Sequence, residues 1–312
     1  MSKKYLNHII LAYKKTFPKK YLAYILLVCT TLIWSVNFII GKFAYLFEVP
    51  PLSLNFLRWT LVWILLFPFT YREILSNIKL IKKNIFYLTV LAITSVSAFN
   101  SLVYLALNYT QAIDTILMIS IIPVFVLFLS SLLGVEKFNL FQLIGLIVSF
   151  IGVLTIFSNA DLGKILNLNF NKGNAWMLLA VFCWALYSSL LKKNKLPFST
   201  LGLVEILASI GLIFLIPQFI AEQMYGKEIK FNKAFFLILS FVTLFASIGA
   251  YYSWNKAIEL IGPNRASIFL HLMPVFGVIL AIVLLKEKFQ TYHFIGAGFI
   301  VSGIYLSNRK KQ

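Results

Sequence analysis

Three ionisable side chains stand inside long apolar runs of this sequence: Arg58 in "NFLRWTLVWIL", Glu205 in "LGLVEILASIG", and His271, three residues before Pro274. An ionisable group in hydrocarbon is costly unless it is paired, protonated or wet, so each of the three marks a candidate site. Glu205 shares a helical face with Gly202 and Ser209. A carboxyl group there can take up and release a proton, or it can form a structural pair near the end of its helix. Arg58 has Asn55 one turn before it on the same face. Its planar fork suits a carboxylate, and it suits equally the holding of neighbouring helices through freed carbonyls. His271 is a proton carrier or a neutral hydrogen-bonding link between helices.

Polar and aromatic side chains recur around these three at helical spacing. Thr30, Trp34 and Asn37 form one stripe; Ala180, Trp184, Tyr187 and Ser188 form another. Asn100, Ser120, Tyr251 and Trp254 add further polar or aromatic tips. Trp34, Asn37, Arg58, Asn100, Ser120, Trp184, Tyr187, Glu205, Tyr251, Trp254 and His271 are together expected to line one cavity. Pro123 and Pro274 lie within apolar runs, where a proline bends a helix and frees a carbonyl one turn earlier. The parts of an enzyme are missing: the three histidines stand at 8, 271 and 293, with no H-E-x-x-H, no G-x-S-x-G and no clustered acid pair. No catalytic residue, metal or cofactor is expected, and no P-loop is present. Cys29 and Cys183 have no metal-type spacing and read as small packing residues.

The elements that position these residues are set by composition. Of 312 residues, 60% are hydrophobic and 12% charged, with mean hydropathy +0.88, which no soluble domain sustains. Ten apolar stretches are long enough to cross a bilayer as helices: 21–41, 52–71, 85–107, 114–133, 140–157, 174–191, 200–220, 234–255, 266–285 and 291–307. The connections between them leave no room for a soluble domain. A net charge of +18 raises the question of nucleic acid, yet the basic residues are spread over the loops instead of forming one patch. With the N-terminus inside, cytoplasmic segments hold 19 of the 28 Lys and Arg, which places both termini in the cytoplasm. The first span follows six lysines without a signal-peptidase site and is read as retained.

The chain then says one thing twice. "IPVFVLFLSSLLGVEKFNLFQLIG" and "MPVFGVILAIVLLKEKFQTYHFIG" align at an offset of about 151 residues, pairing Pro123 with Pro274, Glu136 with Glu287 and Gly145 with Gly296. Weaker matches extend the repeat through Trp34 and Trp184 to Pro68 and Pro217. The expected organisation is a basic tail over 1–20, a first five-helix repeat over 21–158, a linker over 159–173, a second repeat over 174–308 and a basic tail over 309–312. Five is odd, so the second repeat must run inverted. Two such halves can open to one side and then the other. Glu136 and Glu287 fall on opposite faces in this arrangement and read as caps of the hairpins that contain them or as loop salt bridges, ahead of substrate contact.

Over nearly its whole length the sequence resembles the EamA branch of the drug/metabolite transporter superfamily. The resemblance rests on Arg58 of the second span and on the doubled pattern of mid-helix proline, Glu-Lys-Phe and a glycine-spaced helix; Lys286 before the second Glu is a small departure. It implies an all-α membrane protein with ten transmembrane helices in two inverted repeats around a central cavity. The activity it implies is export or uptake of a small metabolite. An aromatic cavity with few fixed charges adds the expectation of a neutral or zwitterionic solute such as an amino acid, moved across the cytoplasmic membrane by a monomer or homodimer. Substrate or ion gradients are expected to supply the energy; if the ion is the proton, Glu205 and His271 are the coupling candidates. A membrane enzyme, and a channel or structural membrane protein, are the alternatives.

Overall fold

Hydrocarbon offers the backbone no partners, so apolar segments must satisfy their own hydrogen bonds, and these do so as helices. The computed structural model describes residues 19–110, 112–158, 163, 171–193, 196–226, 228–285 and 290–309, and among them it is all-helical. The helices are α1 (Lys19–Leu46), α2 (Pro51–Ser76), α3 (Ile85–Leu107), α4 (Ala112–Ile119 and Ile122–Leu132), α5 (Leu140–Phe157), α6 (Lys172–Leu191), α7 (Thr200–Met224), α8 (Lys233–Ile261), α9 (Pro263–Ser267, Ile268–His271 and Leu272–Leu285) and α10 (Thr291–Ser307). Among the described residues nine stretches are long and apolar enough to cross a membrane. The expected tenth, α10, is a helix of 17 residues, about 26 Å at 1.5 Å per residue. The basic N-terminal stretch, most of the linker, Glu287 and the final residues lie outside the described residues.

Local chemistry sets the helix starts. Asn139, Asn171, Ser199 and Asn232 each accept a hydrogen bond from the backbone N–H three residues on, at 2.9 to 3.1 Å. Gly262, at φ +84°, ends α8, and Pro263 opens α9 at once. A short helix, Ile78–Lys83, occupies the connection after α2 that reads as a polar loop. Cys29 is exposed, so it points outward and is not a packing residue.

Two helix pairs carry the relation between the repeats. α2 and α7 correspond in the repeat and lie antiparallel. Near the end of α2, Glu73 accepts hydrogen bonds from the backbone N–H and Oγ of Ser199 at the start of α7. Near the end of α7, Glu222 accepts from the backbone N–H of Ser53 at 2.6 Å and from its Oγ at 2.8 Å, at the start of α2. Each carboxylate thus sits on the positive end of the counterpart helix. These contacts also explain why both helices run past the expected ends at 71 and 220.

α5 and α10 show the same relation through glycine. A Cβ on Gly145 would stand 2.5 Å from Gly303 O, and one on Gly152 2.5 Å from Gly296 O; the reverse placements meet Gly145 O at 2.5 Å and Gly152 O at 2.8 Å. The seam has no room for any side chain, because backbone fills the space. Counterpart helices that run antiparallel through reciprocal contacts are related by a two-fold axis perpendicular to them. The second repeat is inverted.

Candidate functional site

A residue that touches its own repeat counterpart must lie beside the two-fold axis. Three such pairs meet in the centre of the molecule. Trp34 and Trp184 pack edge to face with ring centroids 5.1 Å apart. Asn100 Nδ2 donates to the Tyr251 hydroxyl at 2.9 Å. His271 Nε2 lies 2.9 Å from Ser120 O. All six are buried. Six of the polar and aromatic residues singled out in the sequence therefore lie beside the axis.

Around that axis the backbone departs from the α-helix at equivalent places. α3 contains a π-helical turn at Ile93–Ser97 and α8 one at Val242–Gly249. A π-turn frees carbonyls for other donors. Ser95 O accepts from Asn100 Nδ2 at 2.8 Å and from the Tyr251 hydroxyl at 2.7 Å. Ala246 O, its counterpart, accepts from Arg58 Nη2 at 3.1 Å and Trp34 Nε1 at 3.2 Å. Each repeat thus reaches across the axis to a freed carbonyl of the other.

Arg58 completes this clasp. Its Nε donates to Ser247 Oγ, and its Nη1 donates to Asn100 Oδ1 and to the Tyr104 hydroxyl, both at 2.9 Å. Four of its five N–H groups are engaged by neutral acceptors. It is 1% exposed, and among the described residues no carboxylate pairs with it. The holding of neighbouring helices, one of its two expected roles, is present in the geometry.

A small cavity lies against the clasp, about 20 Å³ as the space open to a water's centre, room for about one water. Of the expected lining residues, Trp34, Asn37, Arg58, Asn100, Trp184 and Tyr251 border it. Phe38, Phe99, Val103 and Tyr104 border it as well, and Ile119 and Ile122 of α4 with Leu270 and Met273 of α9 form an apolar wall. Ser120, Tyr187, Glu205, Trp254 and His271 do not border the cavity. The Tyr187 hydroxyl donates to Asn255 Oδ1 at 2.6 Å, and Trp254 Nε1 donates to Ser188 Oγ at 3.2 Å. Both are committed to packing α6 on α8.

His271 uses both ring nitrogens. Nε2 lies against the Ser120 carbonyl, and Nδ1 lies 2.6 Å from Ser149 Oγ, whose hydroxyl is also 3.0 Å from Leu146 O. The ring ties α9 to α4 and α5. Ser120 O is free to accept because the helix is interrupted at Ser120 and Ile121, just before Pro123. In α9 the corresponding break is the 3-10 turn Ile268–His271, ahead of Pro274. Glu205 is different: it is 0% exposed within α7, and neither carboxylate oxygen has a hydrogen-bond partner among the described residues. The partners of Arg58 do not include it.

The ends of the molecule also join the repeats. On the face that carries residues 19 and 309, Glu136 leaves its own hairpin and accepts from the backbone N–H of Asn264 at 3.2 Å, at the start of α9. This corrects its reading as a hairpin cap; the unblocked Gly262 lets the carboxylate approach the helix end. Burial pushes the Glu136 carboxyl above its ordinary range, against the opposing pull of the Asn264 N–H, Lys192 and Arg265. On the other face a cleft of about 410 Å³ is bordered by Glu48, Asn108, Glu228 and Lys230. Lys230 pairs with Glu48 there, which lowers the Glu48 carboxyl. Lys42 and Lys192, also counterparts, cap the last carbonyls of α3 and α8 at 3.0 Å. Sequence reasoning missed Tyr104, the π-turns and the lysine caps, although the repeat offset already paired Lys42 with Lys192.

A family model described as the EamA-like transporter family matches residues 21–158 and again 171–309. An uncharacterized transporter of Archaeoglobus fulgidus is 29% identical over 291 residues, covering 93% of this chain and 98% of its own. The uncharacterized transporter YyaM of Bacillus subtilis is 24% identical, covering 90% and 92%. One protein of known crystal structure superposes with a TM-score of 0.69 at 15% identity, over 93% of this chain and 96% of its own. That likeness speaks for the fold alone.

Proposed function

The chain belongs to the EamA-like transporter family and is a multi-pass membrane protein; from this premise we propose that it is a secondary transporter that exports a small neutral or zwitterionic metabolite, such as an amino acid, across the cytoplasmic membrane by alternating access. The observation that carries this reading is the two-fold axis through a buried polar and aromatic centre, where repeat counterparts touch. Inverted halves that meet at such a centre can exchange conformations and so present it to either side in turn. The cavity is contracted, as suits a state closed to both sides. Both termini lie in the cytoplasm, following the distribution of Lys and Arg.

Protons drive the cycle in this reading. Glu205 is a carboxyl group buried without a partner among the described residues, a setting in which the neutral acid is favoured until water arrives. His271 has both nitrogens occupied, which ranks it behind Glu205 as the coupling group. Solute flux in proteoliposomes, with and without an imposed pH gradient, tests the proposal. Gradient-driven accumulation of a small metabolite is the expected result; passive, non-saturable leak would make the protein a channel.

A further inference from the structure

The two repeats are unlike at the place where the cavity lies. By the repeat, Asn37 corresponds to Tyr187, Tyr104 to Asn255 and Val103 to Trp254. In the second repeat the Tyr187 hydroxyl and the Asn255 amide satisfy each other at 2.6 Å, and the bulk of Trp254 fills the space beside them. In the first repeat the two residue types are transposed, and Arg58 takes the Tyr104 hydroxyl at 2.9 Å. Asn37 is left over. It is 7% exposed, it borders the cavity, and its Oδ1 has no partner among the described residues. A buried amide oxygen without a donor is costly, and nothing local offsets that cost. The cavity is accordingly displaced off the axis: ten of its fourteen bordering residues come from the first repeat.

We propose that Asn37 reads the substrate's hydrogen-bond donor, in a site where Arg58 faces a carboxylate and the wall of α4 and α9 receives an apolar side chain. The inference deepens the transport reading and rests on it. Arg58 carries a charge that no described carboxylate balances, and one of its Nη2 N–H groups has no acceptor among the described residues. Asn37 and Arg58 border one cavity, so a single small ligand can answer both. A 2-amino or 2-hydroxy acid with a branched apolar chain meets all three conditions. It enters as the helices part, because the contracted cavity admits about one water.

The test uses the full chain, purified and reconstituted, and four probes: L-leucine, 2-hydroxy-4-methylpentanoate, 4-methylpentanoate without the donor, and isopentylamine without the carboxylate. Binding is read from tryptophan fluorescence, since Trp34 and Trp184 border the cavity; transport is read as leucine counterflow. The first two probes are expected to bind the wild type roughly ten- to hundredfold more tightly than the last two, the range for a buried polar group left without its partner. Asn37→Leu should erase the advantage over 4-methylpentanoate while leaving 4-methylpentanoate binding unchanged, and Asn37→Ser, which keeps an acceptor, should retain part of it. Equal weakening of leucine and 4-methylpentanoate by Asn37→Leu, or no binding of any probe to the wild type, overturns the inference. Retained binding discrimination with no counterflow would overturn the transport reading instead and leave the site standing.

Discussion

Replacing Arg58 by methionine removes the charge and all four donated hydrogen bonds while keeping a long side chain in the same space. The outcome follows from what each acceptor has left. Ser247 still donates its hydroxyl to Val242 O at 2.7 Å, and Ala246 O keeps Trp34 Nε1. Asn100 Oδ1 and the Tyr104 hydroxyl lose the sole described partner each has. Two orphaned buried groups cost about 1–3 kcal/mol each. Against that stands the relief of no longer burying a cation, which can make a hydrophobic replacement neutral or stabilising. Because four acceptors already solvate the guanidinium, the orphaned groups should dominate, leaving a net loss of about 3 kcal/mol, roughly a hundredfold in folded population. Arg58→Lys keeps the charge but not the fork, and should fall between the two. Equilibrium unfolding of the purified protein in mixed detergent measures the difference. If Arg58→Met is as stable as the wild type, the clasp does not hold the repeats together, and Arg58 must be explained by its substrate alone.

Other outcomes are open to test. Glu205→Gln preserves size and hydrogen bonding without the ionisable proton, so it should abolish pH-driven accumulation and spare exchange of substrate for substrate; accumulation with unchanged pH dependence would move the coupling role to His271. Cysteines placed at 136 and 287 should react with an impermeant reagent from opposite faces of the membrane, and labelling from one face would contradict the inverted order of the repeats. Glu136→Gln keeps an acceptor for the Asn264 N–H. The raised Glu136 carboxyl means that the folded protein binds more protons there than the unfolded chain, so wild-type stability falls as pH rises above the ordinary carboxylate range. The melting temperature of the variant relative to wild type should therefore rise from pH 4 to pH 8; a difference that shrinks would mean that Lys192 and Arg265 stabilise the anion.

Much of this architecture is legible in the sequence, because lipid leaves the backbone so few choices that an apolar run of sufficient length is a helix. The ends of α2 and α7 are not legible. They depend on Glu73 and Glu222 meeting Ser199 and Ser53, which lie more than a hundred residues away. Nor does any local period announce a π-turn. For the site, helical spacing identifies which residues share one face of one helix, and Trp34, Asn37, Arg58, Asn100, Trp184 and Tyr251, singled out in this way, border one cavity. It does not say which neighbour that face meets. Tyr187 and Trp254 therefore read as lining residues when Asn255 and Ser188 hold them in the helix packing.

The pairs that meet on the axis have a consequence for energy balance. If both members were the same residue, exchanging the conformations of the two halves would return a state of equal energy. Trp34 and Trp184 obey that condition, but Asn100 meets Tyr251 and Ser120 meets His271. Asn100 donates its side-chain amide to the Tyr251 hydroxyl, and His271 reaches the backbone carbonyl of Ser120, so neither contact is the same when read from the other half. The exchange then links states of unequal energy. In the proposed cycle such a molecule has a preferred side at rest before any solute or gradient acts on it, and these unlike pairs contribute to that preference.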